Sequence, residues 1–317
     1  MSRPSILLTG KIPSSVLAKL ESIGEVDQYR GDDGKSIPRA ELVARVSGKH
    51  ALVSMVTDTV DRGVIEAGDA LKIIANAAVG YNNIDVAAAR SRNVIVTNTP
   101  GVLTDATADL TWALILGITR RIGEGERLVR RGGWTGWTFD FMLGASLAGK
   151  QLGIVGYGGI GRAVAQRGRA FGMRVAYTSR TPQQDADAEA MPLDRLLATS
   201  DVVSLHCPLT PETTHLIDQA ALARMKRSAY LINTSRGPVV DEKALAWALR
   251  TRLIAGAGLD VFEREPQVEP ELLTLDNVML VPHLGSGTVE TRTAMADLAV
   301  RNVDAVLSGQ PPLTPVA

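Results

Sequence analysis

The chain has 317 residues, of which 45% are hydrophobic, and this length favours two domains over one. Its 34 basic and 34 acidic side chains balance to a net charge of +0, which argues against a protein that binds nucleic acid through a basic surface. The single cysteine, Cys207, excludes an internal disulfide and is typical of a reducing compartment. The sequence has neither the apolar run of a signal peptide nor that of a membrane span, so we expect a cytoplasmic protein with no membrane partner.

The N-terminal third alternates short apolar runs with helical patterns. The runs predict buried strands at residues 6–9, 51–54, 72–75 and 94–97. A helix is predicted over residues 14–23 with Ser14 as its N-cap, and a long one over residues 105–122. Strands that alternate with helices indicate a parallel sheet with crossover helices.

A second series of strands begins near Lys150, at residues 151–155, 174–177, 202–205, 230–233, 255–259 and 278–281. Helical segments lie between most of them, which is the pattern of a doubly wound sheet. A last helix is predicted over residues 288–307. If it packs back on the first domain, that domain is discontinuous.

A glycine-rich loop joins the strand at 151–155 to a helix at residues 162–171, with the sequence Gly156-Tyr157-Gly158-Gly159-Ile160-Gly161. In this context the spacing predicts a dinucleotide site. Gly156 allows a tight turn, Gly158 lets the backbone approach a pyrophosphate, and Gly161 lets the helix pack close to the strand. The amides of residues 159 and 160 would face the phosphates from a helix N-terminus. The alternative is a turn that needs small residues but binds nothing.

The next strand ends in Ser179-Arg180-Thr181, where NAD-binding proteins usually carry a carboxylate for the ribose 2′-hydroxyl. The first carboxylate here is Asp185. A guanidinium and hydroxyls would accept a 2′-phosphate that a carboxylate would repel. We therefore expect NADP(H) to be preferred, with NAD(H) as the alternative if Arg180 is only a surface residue.

Charged residues follow three later strands, where an open α/β sheet binds its ligands. Arg236 would supply a cation for a carboxylate, and His283 a proton donor for a carbonyl. Glu265 would be the partner that tunes the donor. Taken singly, each has a structural alternative: a surface cation, a solvated loop acid and a core histidine. His206 is the second choice for the proton carrier.

At these residues the chain resembles the D-isomer-specific 2-hydroxyacid dehydrogenase family, and within it the glyoxylate and hydroxypyruvate reductases. The resemblance runs nearly end to end. The motifs that carry it lie at residues 76–85, 97–101, 156–161, 206–213, 234–237, 259–262 and 282–286.

This resemblance implies two Rossmann-like domains with doubly wound parallel sheets and an active site in the interdomain cleft. The dinucleotide-binding domain would span residues 100–284. It would be inserted into a substrate domain formed by residues 1–99 and 285–317.

The resemblance also assigns roles to the charged residues. Arg236 would clamp the substrate carboxylate, and His283 would be the general acid in reduction and the general base in oxidation. Glu265 would keep His283 in its charged form, because a nearby carboxylate favours imidazolium.

Other roles follow from the same resemblance. The amides of Val79 and Gly80 would hold the carboxylate, and Met55 would line the substrate side unless it is only a core residue. Asp260 would face the nicotinamide carboxamide. The remaining expected cofactor contacts are at Thr104, Cys207, Pro208, Thr234 and Gly285.

The bulk of Met55 favours a short substrate, glyoxylate or hydroxypyruvate, reduced by NADPH to the D-isomer where chiral. A reductase of a sugar-derived 2-oxo acid of the 2-ketogluconate type is the alternative. Two other classes are a nucleotide-sensing corepressor-like binding protein and an L-specific or secondary-alcohol dehydrogenase, whose motifs are not found. Trp134 and Trp137 lie in a region through which family members dimerise, so a homodimer is expected.

Overall fold

The computed structural model of the protein describes residues 3–31, 35–181, 183 and 187–316. The chain forms two compact units. Unit 1 consists of Met1–Leu103 and Gly287–Ala317, and unit 2 is the uninterrupted segment Thr104–Ser286. Unit 1 is therefore discontinuous in sequence, with boundaries close to residues 99/100 and 284/285.

Strands and helices alternate along most of the chain. The strands are β1 Ser5–Leu8, β2 Glu25–Gln28, β3 Ala51–Ser54, β4 Ile73–Asn76, β5 Ile95–Thr97, β6 Gln151–Val155, β7 Arg174–Thr178, β8 Ala188–Ala190, β9 Val202–Leu205, β10 Tyr230–Asn233, β11 Gly256–Leu259 and β12 Val278–Leu280. The helices are α1 Ser14–Ile23, α2 Arg39–Val46, α3 Arg62–Ala67, α4 Val86–Ser91, α5 Thr104–Thr119, α6 Ile122–Arg130, α7 Gly159–Ala170, α8 Leu193–Thr199, α9 Gln219–Arg224, α10 Glu242–Arg250 and α11 Val289–Leu307. Within the described residues, none of the helices is long and apolar enough to cross a membrane.

Unit 1 is built on a parallel sheet with the strand order β2-β1-β3-β4-β5. Strands β3 and β4 are buried along their whole length. Successive residues of a strand point to opposite faces, so Leu52 and Ile74 pack into one core and Ala51 and Ile73 into the other. Helix α11 covers the second core, to which it contributes Val300.

Unit 2 is built on a larger sheet, also parallel, with the order β12-β11-β10-β9-β6-β7-β8. The winding direction reverses between β6 and β9, and in open α/β sheets ligands bind at the carboxyl ends of the strands beside such a point. The predicted α/β architecture of two doubly wound parallel sheets is therefore confirmed.

Three neighbouring strands of unit 2 end at the same level of the sheet. Asn233 at the end of β10 is paired with Leu259 at the end of β11, and Leu259 is paired with Leu280 at the end of β12. The segments that follow these strands therefore leave the sheet side by side.

Helix α5 packs closely on this sheet because β11 contains glycines. A Cβ atom at Gly258 would lie 3.1 Å from the Leu114 side chain, and one at Gly256 would lie 3.0 Å from that of Ile118. Side chains at these positions would push the helix away from the strand.

Some local predictions were wrong. Ser14 is the first residue of α1 rather than its cap, and Pro13 precedes the helix without a side-chain hydrogen bond. The long helix predicted over residues 105–122 is interrupted, because Arg121 takes a left-handed conformation with φ of 56°. Strands β2 and β8 were not predicted, since they form sheet edges and lack the apolar pattern of buried strands.

The C-terminal segment of unit 1 is tied to its sheet by buried Asn302 on α11. The Asn302 side-chain amide donates to Oγ1 of Thr314 at 2.9 Å, and its oxygen accepts from the N–H groups of Leu313 and Thr314 at 2.9 and 3.1 Å. The Thr314 hydroxyl in turn donates to the carbonyl oxygen of Asn98 at 2.6 Å. These contacts fix the end of β5 against the end of the chain.

Candidate active site

The glycine loop of unit 2 follows β6 and passes very close to the segment that follows β9. Gly156 has φ of 93°, and a Cβ atom there would lie 2.5 Å from the backbone nitrogen of Cys207. A Cβ at Gly161 would lie 2.3 Å from the carbonyl oxygen of Gly156. Backbone packing therefore requires both glycines, and at Gly156 the positive φ of the turn requires one as well.

The protein itself does not require a glycine at Gly158. A Cβ atom there would meet no atom of the described residues within 4 Å. Gly158 precedes α7, whose first N–H groups have no partner within the helix and favour an anion. Thr104 lies beside the loop, since its hydroxyl is 3.6 Å from where a Cβ of Gly159 would be. Open space next to a helix N-terminus fits the phosphates of a dinucleotide.

Tyr157 was expected to contact the cofactor, but its side chain is 1% exposed and stacks on the ring of Tyr177 at 4.1 Å between centroids. Only its backbone can face a ligand. The Tyr177 hydroxyl donates to the carbonyl of Gln183 at 2.7 Å and so supports the loop after β7.

Ser179, Arg180 and Thr181 follow the end of β7, and Arg180 and Thr181 are exposed. The pKa of Glu212, which follows β9, is lowered first by a hydrogen bond with Thr210 and also by the charge of Arg180. Arg180 therefore lies at the carboxyl edge of the sheet. Asp185, the first carboxylate after this strand, lies outside the described residues.

The segment after β9 contains His206, Cys207 and Pro208. Burial lowers the pKa of His206 to about 3, and its Nε2 is 2.8 Å from Oγ of Ser204. His206 is thus a neutral group, unsuited to carry a proton near pH 7. Burial raises the pKa of the Cys207 thiol to about 11, so this residue has no thiolate to offer.

Arg236 follows β10 on a loop that Asn233 holds in place. The Asn233 amide donates to the carbonyl of Arg236 at 3.0 Å, and its oxygen accepts from the hydroxyl of Ser235 at 2.8 Å. Burial lowers the pKa of Arg236, and the charge of Glu265 opposes that shift. The guanidinium is therefore a partly desolvated cation that would interact strongly with an anion. Thr234 is buried and its hydroxyl is 2.9 Å from that of Thr111.

Glu265 and His283 form a hydrogen-bonded pair. Nδ1 of His283 lies 2.9 Å from Oε2 of Glu265, and the other carboxylate oxygen accepts from the N–H of Phe262 at 3.0 Å. Burial would raise the pKa of Glu265, but the hydrogen bond and charge of His283, together with the charge of Arg236, lower it overall. Because Nδ1 faces a carboxylate, Nε2 is the ring nitrogen available to exchange a proton with a ligand.

Asp260 holds the turn that carries His283. Its carboxylate accepts from the N–H groups of Leu284 and Gly285 at 2.5 and 2.8 Å, and its carbonyl accepts from the N–H of His283 at 2.8 Å. His283 has φ of 52°, an unusual conformation outside glycine that these bonds support. Burial raises the pKa of Asp260, although these bonds oppose the shift.

Two further residues that support this site, Glu242 and Gly237, were not identified from the sequence. Glu242 is 5% exposed, and its carboxylate accepts from the N–H of Glu263 and, at 3.1 Å, from that of Glu269. It thus fixes both sides of the loop that carries Glu265. A Cβ at Gly237 would lie 1.9 Å from the backbone of Phe262, so only glycine lets the two loops touch. An acidic residue in the first turn of a helix is common because it favours the helix dipole, so the role of Glu242 could not be recognised from its position in the sequence.

The expected substrate residues Met55, Val79 and Gly80 all lie in unit 1. The N–H of Met55 donates to buried Asp58 at 2.7 Å, and both residues line a cavity of about 200 Å³. Val79 and Gly80 lie in the loop between β4 and α4.

The sequence is similar to those of known proteins over almost its whole length. The family model for the NAD-binding domain of D-isomer-specific 2-hydroxyacid dehydrogenases matches residues 112–285. Glyoxylate reductase from Thermococcus litoralis is 48% identical over 98% of this chain and 96% of its own, and that from Pyrococcus furiosus is 46% identical over 98% and 95%.

The fold is also similar to that of a solved structure. A crystal structure of an NADPH-dependent glyoxylate/hydroxypyruvate reductase from Sinorhizobium meliloti, in complex with NADP and malonate, superimposes with a TM-score of 0.88 at 36% identity, covering 100% of this chain and 97% of that one. The sequence similarity extends over both units and includes the dinucleotide-binding region. The protein therefore belongs to the D-isomer-specific 2-hydroxyacid dehydrogenase family and is an NAD(P)-dependent oxidoreductase.

Proposed function

We propose that the protein reduces small 2-oxo acids, glyoxylate or hydroxypyruvate, with NADPH, and that a chiral product is the D-isomer. The observation that carries this proposal is the grouping of Arg236, Glu265 and His283 after three adjacent strands that end level with one another. The names of the full-length relatives support a 2-oxo acid of this size.

Each of the three residues has one task in this reaction. Arg236 binds the substrate carboxylate and orients the 2-oxo group. His283 donates a proton from Nε2 to the carbonyl oxygen during reduction and takes it back during oxidation. Glu265 accepts a hydrogen bond from Nδ1 and thereby favours the charged ring that can donate. The glycine loop of residues 156–161 would hold a reduced nicotinamide cofactor, which would supply the hydride, and the N–H groups of Val79 and Gly80 would bind a carboxylate.

We propose NADP(H) as the preferred cofactor. The exposed Arg180 lies at the carboxyl edge of the sheet, just after β7, together with Ser179 and Thr181. A guanidinium there would pair with a 2′-phosphate. The related Sinorhizobium meliloti reductase, which is NADPH-dependent, supports the same choice.

We further propose a homodimer. Helix α6 and the segment after it expose apolar side chains in one stretch of sequence, among them Ile122, Val129, Trp134, Trp137 and Phe139. Trp137 is 73% exposed and Phe139 is 88% exposed. Apolar side chains concentrated in this way mark an interaction surface, and a second copy of the chain would cover it.

A larger sugar-derived 2-oxo acid is the second candidate substrate, and a binding protein without turnover is the alternative class. A panel of 2-oxo acids with NADPH, followed at the cofactor's absorbance, separates them. Turnover only of sugar-derived acids would favour the second candidate, and no turnover of any would overturn the proposed function.

Replacing the proposed proton donor tests the chemistry. His283→Ala should lower kcat for glyoxylate by about 10²- to 10⁴-fold, the usual contribution of a general acid, with unchanged affinity for NADPH. His215→Ala is the matched control, since Nε2 of His215 also faces a carboxylate oxygen, of Glu263, at 3.1 Å. Equal turnover of the two variants would remove His283 from the mechanism.

The pH profile tests the partner of His283. In Glu265→Gln a neutral amide replaces the carboxylate that faces Nδ1 of His283, so the charged form of the ring loses a stabilising partner. The fall of kcat/KM for reduction at high pH should therefore begin at a lower pH than in the wild type. A profile with an unshifted alkaline limb would show that Glu265 does not tune the proton donor.

Cofactor choice is tested at the end of β7. Arg180→Asp should lower kcat/KM for NADPH by about 10- to 100-fold, the loss of a charge-assisted hydrogen bond, while NADH is affected much less. Arg174→Asp changes an exposed arginine at the opposite end of the same strand and should leave the NADPH/NADH ratio unchanged. The assignment fails if both variants keep the wild-type ratio.

Light scattering tests the dimer. Phe139→Asp places a charge in the proposed interface and should shift the protein from dimer to monomer at micromolar concentration. Leu273→Asp alters another exposed apolar side chain of unit 2, outside this segment, and should remain dimeric. A monomeric wild-type protein would contradict the proposal.

A further inference from the structure

The loop between β4 and α4 in unit 1 has three successive carbonyl groups that all bond to the protein. The carbonyl of Ala78 accepts from the N–H of Thr99 at 2.9 Å. The carbonyl of Val79 accepts from the side-chain amide of Asn98 at 2.8 Å, and that of Gly80 from the side-chain amide of Asn76 at 2.8 Å.

These bonds determine where the neighbouring N–H groups point. In a planar trans peptide the N–H is directed opposite to the C=O of the same unit. With the carbonyls of residues 78–80 turned toward the protein, the N–H groups of Val79, Gly80 and Tyr81 are turned away from it. Among the described residues, none of the three N–H groups donates a hydrogen bond. Successive N–H groups of this kind form a concave site for an anion.

Asn76 is itself held rigidly. It is fully buried at the end of β4, and its side-chain oxygen accepts from the hydroxyl of Ser54 at 3.2 Å. Its amide also approaches Asn83, which donates to the carbonyls of Met55 and Asp58 at 3.2 and 3.0 Å. The same buried network thus supports both the 78–81 loop and the Met55 turn.

Asn98 is held by a different segment, the one that follows α11. Its carbonyl accepts from the hydroxyl of Thr314 at 2.6 Å, and Thr314 is bound by Asn302 of α11. The position of the Asn98 amide, and with it the Val79 carbonyl, therefore depends on contacts with the C-terminal segment.

We propose that Asn76 and Asn98 are positioning residues that keep the amides of the 78–81 loop directed at the substrate carboxylate, with Thr314 supporting Asn98. This inference rests on the proposed function, because it takes Val79 and Gly80 as carboxylate ligands. In this role neither asparagine touches the substrate. Each side-chain amide donates a hydrogen bond to a backbone carbonyl and thereby prevents that peptide unit from rotating its N–H group away from the substrate. A 2-oxo acid and a non-reducible carboxylate such as oxalate should be held by the same amides.

The test compares Asn98→Ala with Asn277→Ala. Asn277 is a matched control, because its amide also donates to backbone carbonyls, at 3.1 and 3.2 Å, but it lies in unit 2 away from the site. In Asn98→Ala, KM for glyoxylate and the inhibition constant of oxalate should both rise about tenfold, the loss of roughly one hydrogen bond. The KM for NADPH and kcat should change little, and Asn277→Ala should match the wild type in all four quantities.

A milder variant covers the case in which Asn98→Ala does not fold. Thr314→Val keeps the shape of the side chain but removes the hydroxyl that donates to Asn98, and it should raise the same two constants by a smaller factor. Wild-type constants in both variants, or in Thr314→Val if Asn98→Ala is insoluble, would overturn the positioning role, as would an equal rise in the KM for NADPH. Wild-type protein that turns over no 2-oxo acid would instead refute the proposed function itself.

Discussion

The hydrogen-bond register of β10, β11 and β12 is the constraint on which the site in unit 2 depends. Asn233, Leu259 and Leu280 are aligned across the sheet, so Arg236 and His283 each follow their strand by three residues at the same edge. A shift of one residue in the register of any of these strands would displace the loop that follows the strand. It would also turn the side chains of the strand to the opposite face of the sheet. The loop of Glu265 is longer, and hydrogen bonds with Glu242 and with the N–H of Phe262 hold it.

Buried carboxylates that are not themselves expected to react support this edge. Burial raises the pKa of both Asp260 and Glu242, and each carboxylate accepts backbone N–H groups of a neighbouring loop. An acceptor in a poorly solvated position bonds strongly to such groups and limits the conformations of the loop. The geometry between Glu265 and His283 is therefore supported by two carboxylates outside the proposed catalytic set.

Much of the fold could be predicted because buried parallel strands have continuous apolar runs, as in Ala51–Ser54, Val202–Leu205 and Tyr230–Asn233. The glycine loop and the charged residues after the later strands could also be named, since few residue types suit those positions. The edge strands could not, because exposure removes the apolar pattern.

Supporting contacts between distant residues were also beyond prediction. Glu242 bonds to residues 21 and 27 positions away, and Asn98 bonds to Val79 and to Thr314. Such pairs depend on how the loops pack in three dimensions, which local patterns do not encode. The burial of Tyr157 behind the glycine loop is a second case, since its stacking partner lies on the next strand.

The discontinuity of unit 1 has a consequence for synthesis on the ribosome. Unit 2 is one uninterrupted segment, so it can fold as soon as residues 104–286 have emerged. The second core of unit 1 needs Ala296, Ala299, Val300 and Val303, and Asn98 acquires its partner Thr314 only with the last residues of the chain. Unit 1 therefore begins before unit 2 but is completed after it, and until α11 has emerged one face of its sheet exposes apolar surface that chaperones could bind.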